Sequence, residues 1–498
     1  MNVNPITRLD YPDPDVIRVE DTYYMVSTTM HFMPGCEILQ SFDLVHWEHA
    51  TYVYETLDHT DAQQLKSGQN IYGQGMWAAS LRYHEGRFCI CFVANDTRKT
   101  YLYTSEKIDG PWKKQLIEGF YHDGSLLFDE DGRNYIVYGN DEIWITELNE
   151  DLTAPKKDGL HRLLVSDHKN PELGYEGSHI QKINGYYYIF LVHSLRDRWM
   201  RTEACFYSDS LEGEFTGGDV LCDDRGYCGQ GVAQGGIVDT PDGKWYAMLF
   251  QDSGAVGRIP ILLPVTWKDH FPVFGQNGHV PEEIEVHSTR PGYIYQPLVG
   301  SDDFCNGLLP RWQFNHDPDP RYYHLDALQG TYTITTREVC TELTQAVNTL
   351  TQRMSYPSCA AEVTVDASAL KEGDVAGLCA LQGCYAAVGI TKHHGKYEVL
   401  MLDKKEDGIL DMTEGTVVES HQMDFRLEAD FCNMKDEARC YYRVNKGDWL
   451  PIGTVHKLYF KLDHFTGCRF GLFCYAAEET GGSACFRDFK YYDVDEIS

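Results

Sequence analysis

The chain has 498 residues, enough for two or three domains, and a hydrophobic content of 43% that can fill real cores. Its formal net charge of −32 sets a field that repels phosphate backbones and anionic headgroups, so nucleic acid and membrane are excluded as partners and a neutral substrate is favoured. Aromatic residues make up 13%, with 33 tyrosines and 9 tryptophans, which favours β structure and surfaces that stack on sugars or bases.

The N-terminal stretch MNVNPITRLDYPDP has no apolar core of a secretory signal. No run of 18 apolar residues follows that would span a membrane. Sixteen cysteines are scattered without a CxxC pair. Cys89 and Cys91 in RFCICFVAN share one face of a strand and read as buried small hydrophobes. Thiols without a signal point to a reducing compartment, and the expected location is the cytoplasm.

YPDPDVIRVEDTYYM opens the folded part. Pro12 and Pro14 bias their neighbours to extended backbone and remove donors. Around Asp13 and Asp15 this reads either as a rigid start to a strand or as a device that holds a carboxylate still. The rest of the chain decides between them.

One pattern then recurs: an extended apolar run, an acidic or glycine turn, and an aromatic-rich run. The copies are VIRVEDTYYMVS, SLRYHEGRFCICF, SLLFDEDGRNYIVYG, HIQKINGYYYIFLV and GIVDTPDGKWYAMLF. Such turns between alternating runs signal hairpins. The turn residues Asp21, Gly86, Gly132, Gly185 and Gly243 lie 65, 46, 53 and 58 residues apart, room for the four strands of a propeller blade. The expectation is an all-β chain whose residues 1–295 form a five-bladed β-propeller. Counting back nine residues from the four glycines, and eight from Asp21, gives Trp77, Asp123, Glu176, Gln234 and Asp13. Equivalent positions at blade starts converge on the axis, so these five residues are expected to ring one pit. Acids bridging blades are the structural alternative.

Two carboxylates flanking a sugar suffice for glycoside hydrolysis, one as acid and one as base or nucleophile. A third nearby raises the acid's pKa by like-charge repulsion. Trp77 offers a platform for a sugar face.

At this point the sequence resembles glycoside hydrolase family 43. The resemblance rests on DYPDPDVIRVEDTYYM, MWAASLRYHEGRF, HDGSLLFDEDGRNYIVYG, YEGSHIQKINGYYYI and GRIPILLPVTWKDHFPVFG, which carry all three acidic motifs in order. It implies β-xylosidase or α-L-arabinofuranosidase activity with inversion of configuration. By resemblance Asp13 is the general base, Asp123 the orienting and pKa-modulating aspartate, and Glu176 the general acid. Arg258 in GAVGRIPIL matches an arginine that reaches the innermost sugar; read alone, it is a surface or blade-packing residue. Many relatives carry a histidine where this chain has Gln234, so an axial calcium is left unassigned and no cofactor is required. Phe32 in STTMHFMPG reads as a wall of the sugar pocket or as a core aromatic.

After about residue 282 the repeat stops and a linking segment follows to about 302. FRLEADF places Phe425, Leu427, Ala429 and Phe431 on one face, and CYYRVNKGDWLPIG reads as a hairpin. Residues 303–498 are expected to form a β-sandwich. The resemblance makes it concanavalin-like, with a loop that narrows the active-site mouth. WQFNHDPDPRYYHL, Trp312 to Leu325, is the expected approach to that mouth, with its acids read as a polar loop or a calcium cluster. The expected substrates are xylo- or arabinoxylo-oligosaccharides, cut from one end. Self-association into a homo-oligomer is left open. The competing readings are an α-L-arabinofuranosidase or bifunctional enzyme, an invertase-like retaining propeller, and a non-catalytic lectin.

Overall fold

The computed structural model describes residues 2–413, 415–461 and 465–493. Five four-stranded antiparallel sheets follow one another along the chain. Blade one holds Asp15–Val19, Thr22–Val26, Gly35–Ser41 and Glu48–Tyr54. Blade two runs from Met76 to Ile117, blade three from Ser125 to Ser166, blade four from Glu176 to Leu221 and blade five from Val232 to Phe274. This is the five-bladed propeller. The second strands, such as Arg87–Ala94, Tyr186–Ser194 and Trp245–Asp252, are almost wholly buried because both faces pack on neighbouring blades. The outermost strands, such as Lys113–Ile117 and Thr216–Leu221, are polar and largely exposed. That gradient is why the inner and middle strands read as near-continuous apolar runs.

Among the described residues, no blade borrows a strand from the other end of the chain. The ring closes instead through the N-terminal segment. Asn2–Val3 pairs with Glu283–Ile284. The Asn4 side chain donates to the Leu262 carbonyl and accepts the Leu262 N–H, and the Tyr11 N–H donates to the Arg258 carbonyl.

Equivalent positions of the blades can be aligned by their hydrogen bonds. The Leu81 N–H donates to Asp15, the Leu126 N–H to Ser80 and the Ile180 N–H to Ser125. Two residues before each of Asp15, Ser80, Ser125, His179 and Gly236 stands a residue in the left-handed region: Asp13 (φ 52°), Ala78 (φ 36°), Asp123 (φ 49°), Gly177 (φ 66°) and Gln234 (φ 65°). Bulges occur at this level in blades two, four and five. Left-handed backbone costs about 1–2 kcal/mol at a non-glycine residue, and its repetition around the axis marks a shared architectural kink.

This alignment corrects the nine-residue count. Trp77 and Glu176 stand one residue before the kink, whereas Asp13, Asp123 and Gln234 stand on it. The reason lies in the turns. Blades one, two and four use two-residue turns, since Val19 pairs Thr22, His84 pairs Arg87 and Ile183 pairs Tyr186. Blades three and five use five-residue turns between Phe128 and Asn134 and between Asp239 and Trp245. The same distance from the turn therefore reaches a different residue.

Residues beyond the linker form two packed sheets, the concanavalin-like sandwich. One is seven-stranded, centred on Ser358–Asp366 between Gln422–Asp430 and Ser483–Asp493. The other is nine-stranded and ends on a strand of the propeller: Phe32–Met33 pairs with Gln313–Asn315. Blade five also enters the sandwich core, where Ala255, Val256 and Ile259 pack with Phe431, Leu472 and their neighbours.

Candidate active site

Asp13 sits between its two prolines with 4% of its surface exposed. Its Oδ1 accepts Nη1 of Arg258 at 2.6 Å and its Oδ2 accepts the Thr28 hydroxyl at 2.5 Å. Thr28 Oγ1 in turn accepts the Ala78 N–H, so blades one and two share the mount. The carboxylate is held still by Arg258 and Thr28; the extended backbone expected beside the prolines is not adopted, since Asp13 is left-handed (φ 52°). Arg258 also lies 3.2 Å from Asp252 Oδ1, and Asp252 Oδ2 accepts Nε of Arg201 at 2.9 Å. Arg201, Asp252 and Arg258 are all buried. Phe250 packs against both guanidinium groups.

Across the site Asp123 Oδ2 accepts the Gly177 N–H at 2.9 Å, and Glu176 Oε2 accepts Nδ2 of Asn140 at 2.8 Å. His122 stands between them, with Nε2 3.6 Å from both Asp123 Oδ2 and Glu176 Oε2. These donor atoms lie within 4.8 Å of one another, a spacing that a metal ion also accepts. Both carboxylate oxygens already receive N–H donors, and the buried Nε2 of His122 faces them both without a closer partner.

The electrostatics follow from this crowding. Burial, then the neighbouring Glu176 and Asp13 charges, push Asp123 up to about 6 against the pull of His122 and the Gly177 N–H. His122 is raised to about 9, first by Asp123 and then by Glu176, against its own burial. Burial raises Glu176 too, but His122, Arg201 and Arg258 outweigh it and the net direction is downward. This differs from the expectation that Asp123 lifts Glu176. The intervening His122 imidazole outweighs that repulsion.

Trp77 meets the His122 ring edge-on and packs at 5.1 Å against Phe465, which comes from the sandwich. Phe465 also lies 3.9 Å beneath the Arg258 guanidinium. Among the described residues, Phe465 reaches this group from the second domain, outside the Trp312–Leu325 stretch. That stretch builds the domain junction instead. Its acids are partnered by side chains, Asp317 by His59 and Asp319 by Arg321, which makes it a polar loop. Phe32 is placed in the shared sheet, with the Arg469 guanidinium 3.5 Å from its ring and 1% of its surface exposed. Gln234 packs its side chain over Gly177, and its N–H donates to the buried Glu203 at 2.7 Å.

Below the site a guanidinium fills the propeller axis. Arg82 donates to Asp15, Ser125 and the carbonyls of Leu81, Leu126 and Ile180. His179 Nδ1 lies 3.1 Å from Asp15. Burial would raise Asp15, but Arg82, His179 and the Leu81 N–H hold it at about 2. A calcium ion at this level would face a fixed cation whose acceptors are already taken, so these residues do not fit one.

Residues 3–272 match the model of glycosyl hydrolases family 43, and residues 301–492 match that of the β-xylosidase C-terminal concanavalin A-like domain. The chain belongs to glycosyl hydrolase family 43. Among solved structures, this family 43 chain is 42% identical, with a TM-score of 0.92, to a bifunctional GH43-CE protein of Bacteroides eggerthii; the match covers 100% of this chain and 64% of that longer one. It is 26% identical to a β-xylosidase of Formosa agariphila over 99% of this chain and 89% of the relative. It is 24% identical to a xylosidase/arabinosidase of Butyrivibrio fibrisolvens, with 99% of each covered. The family 43 chain is thus a glycoside hydrolase whose acids gather at one end of its propeller.

Sequence reasoning missed His122, Asn140, Arg201, Asp252 and Phe465. Arg201 and Glu203 stand inside RTEACFY, and Asp252 closes the apolar WYAMLFQD. Charge within a buried run is a signal of function or pairing. His122 adjoins Asp123 in sequence. Nothing in the sequence around Phe465 announces that it crosses to the other domain.

Proposed function

We propose that this family 43 enzyme is an inverting exo-β-xylosidase acting on xylo-oligosaccharides, with Asp13 as general base and Glu176 as general acid. The observation that carries the reading is the unequal mounting of the two carboxylates. Asp13 is fixed by Arg258 and Thr28, which aims its carboxylate where it can orient and deprotonate a water. Glu176 faces His122 and Asp123, a cluster that stores protons near neutral pH. When a glycoside fills the site and excludes water, loss of hydration favours the neutral form of Glu176, and the stored proton moves toward the leaving oxygen. Water attacks the anomeric carbon on the opposite face, the glycosidic C–O bond breaks, and Asp13 takes the water's proton.

Phe465 and Trp77 wall one side of the pit, which supports attack on chain ends. The xylosidase names of the relatives support xylose. The relative that carries both names keeps α-L-arabinofuranosidase as the second reading, since the two sugars present similar hydroxyls. Sixteen cysteines without a disulfide partner support a reducing compartment such as the cytoplasm; fractionation of the producing cell tests that. The test of mechanism is the first-formed anomer from an aryl β-xyloside, followed by NMR. The α-anomer is expected. The β-anomer, or turnover of aryl arabinoside alone, overturns the proposal.

A further inference from the structure

Arg258 is the cation that holds Asp13, and a short turn before it sets where its guanidinium points. Gly254–Val256 form one 3₁₀ turn, and Gly257 (φ 103°) leads into the strand Arg258–Lys268. Within the propeller the turn is tied by Ser253 N–H to the Gly257 carbonyl and by the Arg258 N–H to Asp10 Oδ1. Both backbone polar groups of Ala255 go to the other domain. The Ala255 N–H donates to Asp436 Oδ1 at 3.1 Å. The Ala255 carbonyl accepts the Cys468 N–H at 2.8 Å and Nε2 of Gln382 at 3.3 Å. Packing is equally tight. A Cβ on Gly254 would lie 2.8 Å from the Asp436 carboxylate, and one on Gly467 would lie 2.0 Å from the Val256 carbonyl oxygen. Ala255 and Val256 are fully buried in the sandwich core.

We infer that the sandwich is a positioning element of the catalytic site: Asp436, with Gln382 and Cys468, fixes the 254–257 turn and thereby the guanidinium that orients Asp13. Asp436 touches no reacting atom and acts through Arg258. The inference rests on the proposed role of Asp13 as the base. Misplacing a catalytic group by about 1 Å costs on the order of a hundredfold in rate, so loss of one clamp is expected to cost about tenfold.

The test compares Asp436→Ala, Asp436→Asn, Arg258→Ala and His59→Ala in the full chain, with kcat/KM for an aryl xyloside measured against pH. Around Asp13 the charged groups are Arg258, Arg201, Asp252, His122, Asp123 and Glu176; around Asp436 they are Lys457 and Asp430. Asp436→Ala is expected to lower kcat/KM about tenfold and to move the acidic limb upward, because Asp13 loses its aligned cation. Asp436→Asn keeps an oxygen for the Ala255 N–H and is expected to restore both. His59→Ala removes a junction contact far from the turn, to Asp317, and is expected to lower Tm without moving the limb. Should Asp436→Ala not fold, Gln382→Ala removes one donor to the Ala255 carbonyl and is expected to move the limb in the same direction. A limb unmoved in every folded clamp variant while Arg258→Ala moves it overturns the inference, as does an Asp436→Asn enzyme as impaired as Asp436→Ala. A limb that Arg258→Ala also leaves unmoved overturns instead the assignment of Asp13.

Discussion

Replacing Asp123 by Asn is expected to stabilise the protein while it disables the enzyme. Asp123 is buried, and its pKa rises from 3.8 to about 6. A folded-state pKa raised above the unfolded one means that the folded state binds the proton more tightly. The associated stability is fully present below pH ~4 and is lost as pH rises through about 6. Above that, the ionised carboxylate costs about 3 kcal/mol, two pKa units at about 1.4 kcal/mol each. That figure already contains the attraction of His122. Relaxation around the charge sheds part of it, so a gain of about 2 kcal/mol is the working value at pH 7.5. The asparagine side chain cannot ionise, yet its Oδ1 still accepts the Gly177 N–H. For a propeller of this size, at ~2.1 cal/mol/K of unfolding entropy per residue, the gain corresponds to a Tm rise of roughly 3 °C. The assay is thermal unfolding of both proteins from pH 4 to pH 8. The advantage of the Asp123→Asn protein should be largest at the alkaline end and vanish near pH 4. A variant that melts below the parent at pH 7.5, or whose advantage is the same at pH 4, refutes the argument that charge burial at this site is unfavourable. Stability is commonly given up for reactivity at active sites.

Other outcomes follow from the same contacts. Burial drives the Glu203 carboxyl well above its ordinary range, which favours its neutral form; Glu203→Gln should leave Tm within about 1 °C, whereas Glu203→Ala leaves the Gln234 N–H without its acceptor and should cost about 2–4 kcal/mol by denaturant titration. Asp15→Ala strips the half-buried Arg82 of its buried carboxylate and should cost about 3 kcal/mol. Because Asp15 is held at about 2, its contribution in the parent is present above pH ~4 and is lost as pH falls through about 2, which an acid titration of the two proteins compares. Phe465→Ala removes the ring under Arg258 and beside Trp77 and should raise KM for a short aryl xyloside roughly three- to tenfold, in line with one stacking contact of about 1 kcal/mol.

Much of the propeller was legible because its information is local. Glu85-Gly86 and Asn184-Gly185 carry the positive φ values of tight hairpin turns, and such turns write themselves into sequence as EG and NG. The register at the axis was harder to read. A five-residue turn and a two-residue turn look alike in a string, yet they shift the facing residue by one position. Asp13, Asp123 and Gln234 landed on the kink, and Trp77 and Glu176 beside it, because the kink points adjacent residues toward the same end of the ring. Phe32 shows the opposite case. Its apolar neighbourhood is clear in sequence, but its pairing with Asn315 depends on a docking of distant segments that no periodicity encodes.

That docking bears on what a domain is here. Arg353 of the sandwich lies 2.8 Å from Glu37 of blade one, with the two side chains 4% and 3% exposed, and its Nε donates to the Asp10 carbonyl. Arg469 of the sandwich donates to Gln313 and stacks on Phe32. Asp10 accepts the Arg258 N–H, and burial pushes its carboxyl up to about 6. A buried charge is tolerated only with its partner in place. The charged groups behind Asp13 are therefore balanced across the junction, by arginines from one domain against acids from the other. The linker between the domains is long, but the chemistry divides elsewhere. The proposed acid, Glu176, with His122 and Asp123, is mounted on blades three and four, whereas the proposed base, Asp13, is mounted on blade one and on a turn of blade five that the sandwich grips. Any motion of the sandwich relative to the propeller would then be felt first by Asp13 and Arg258, and would leave the proton-storing side of the site in place.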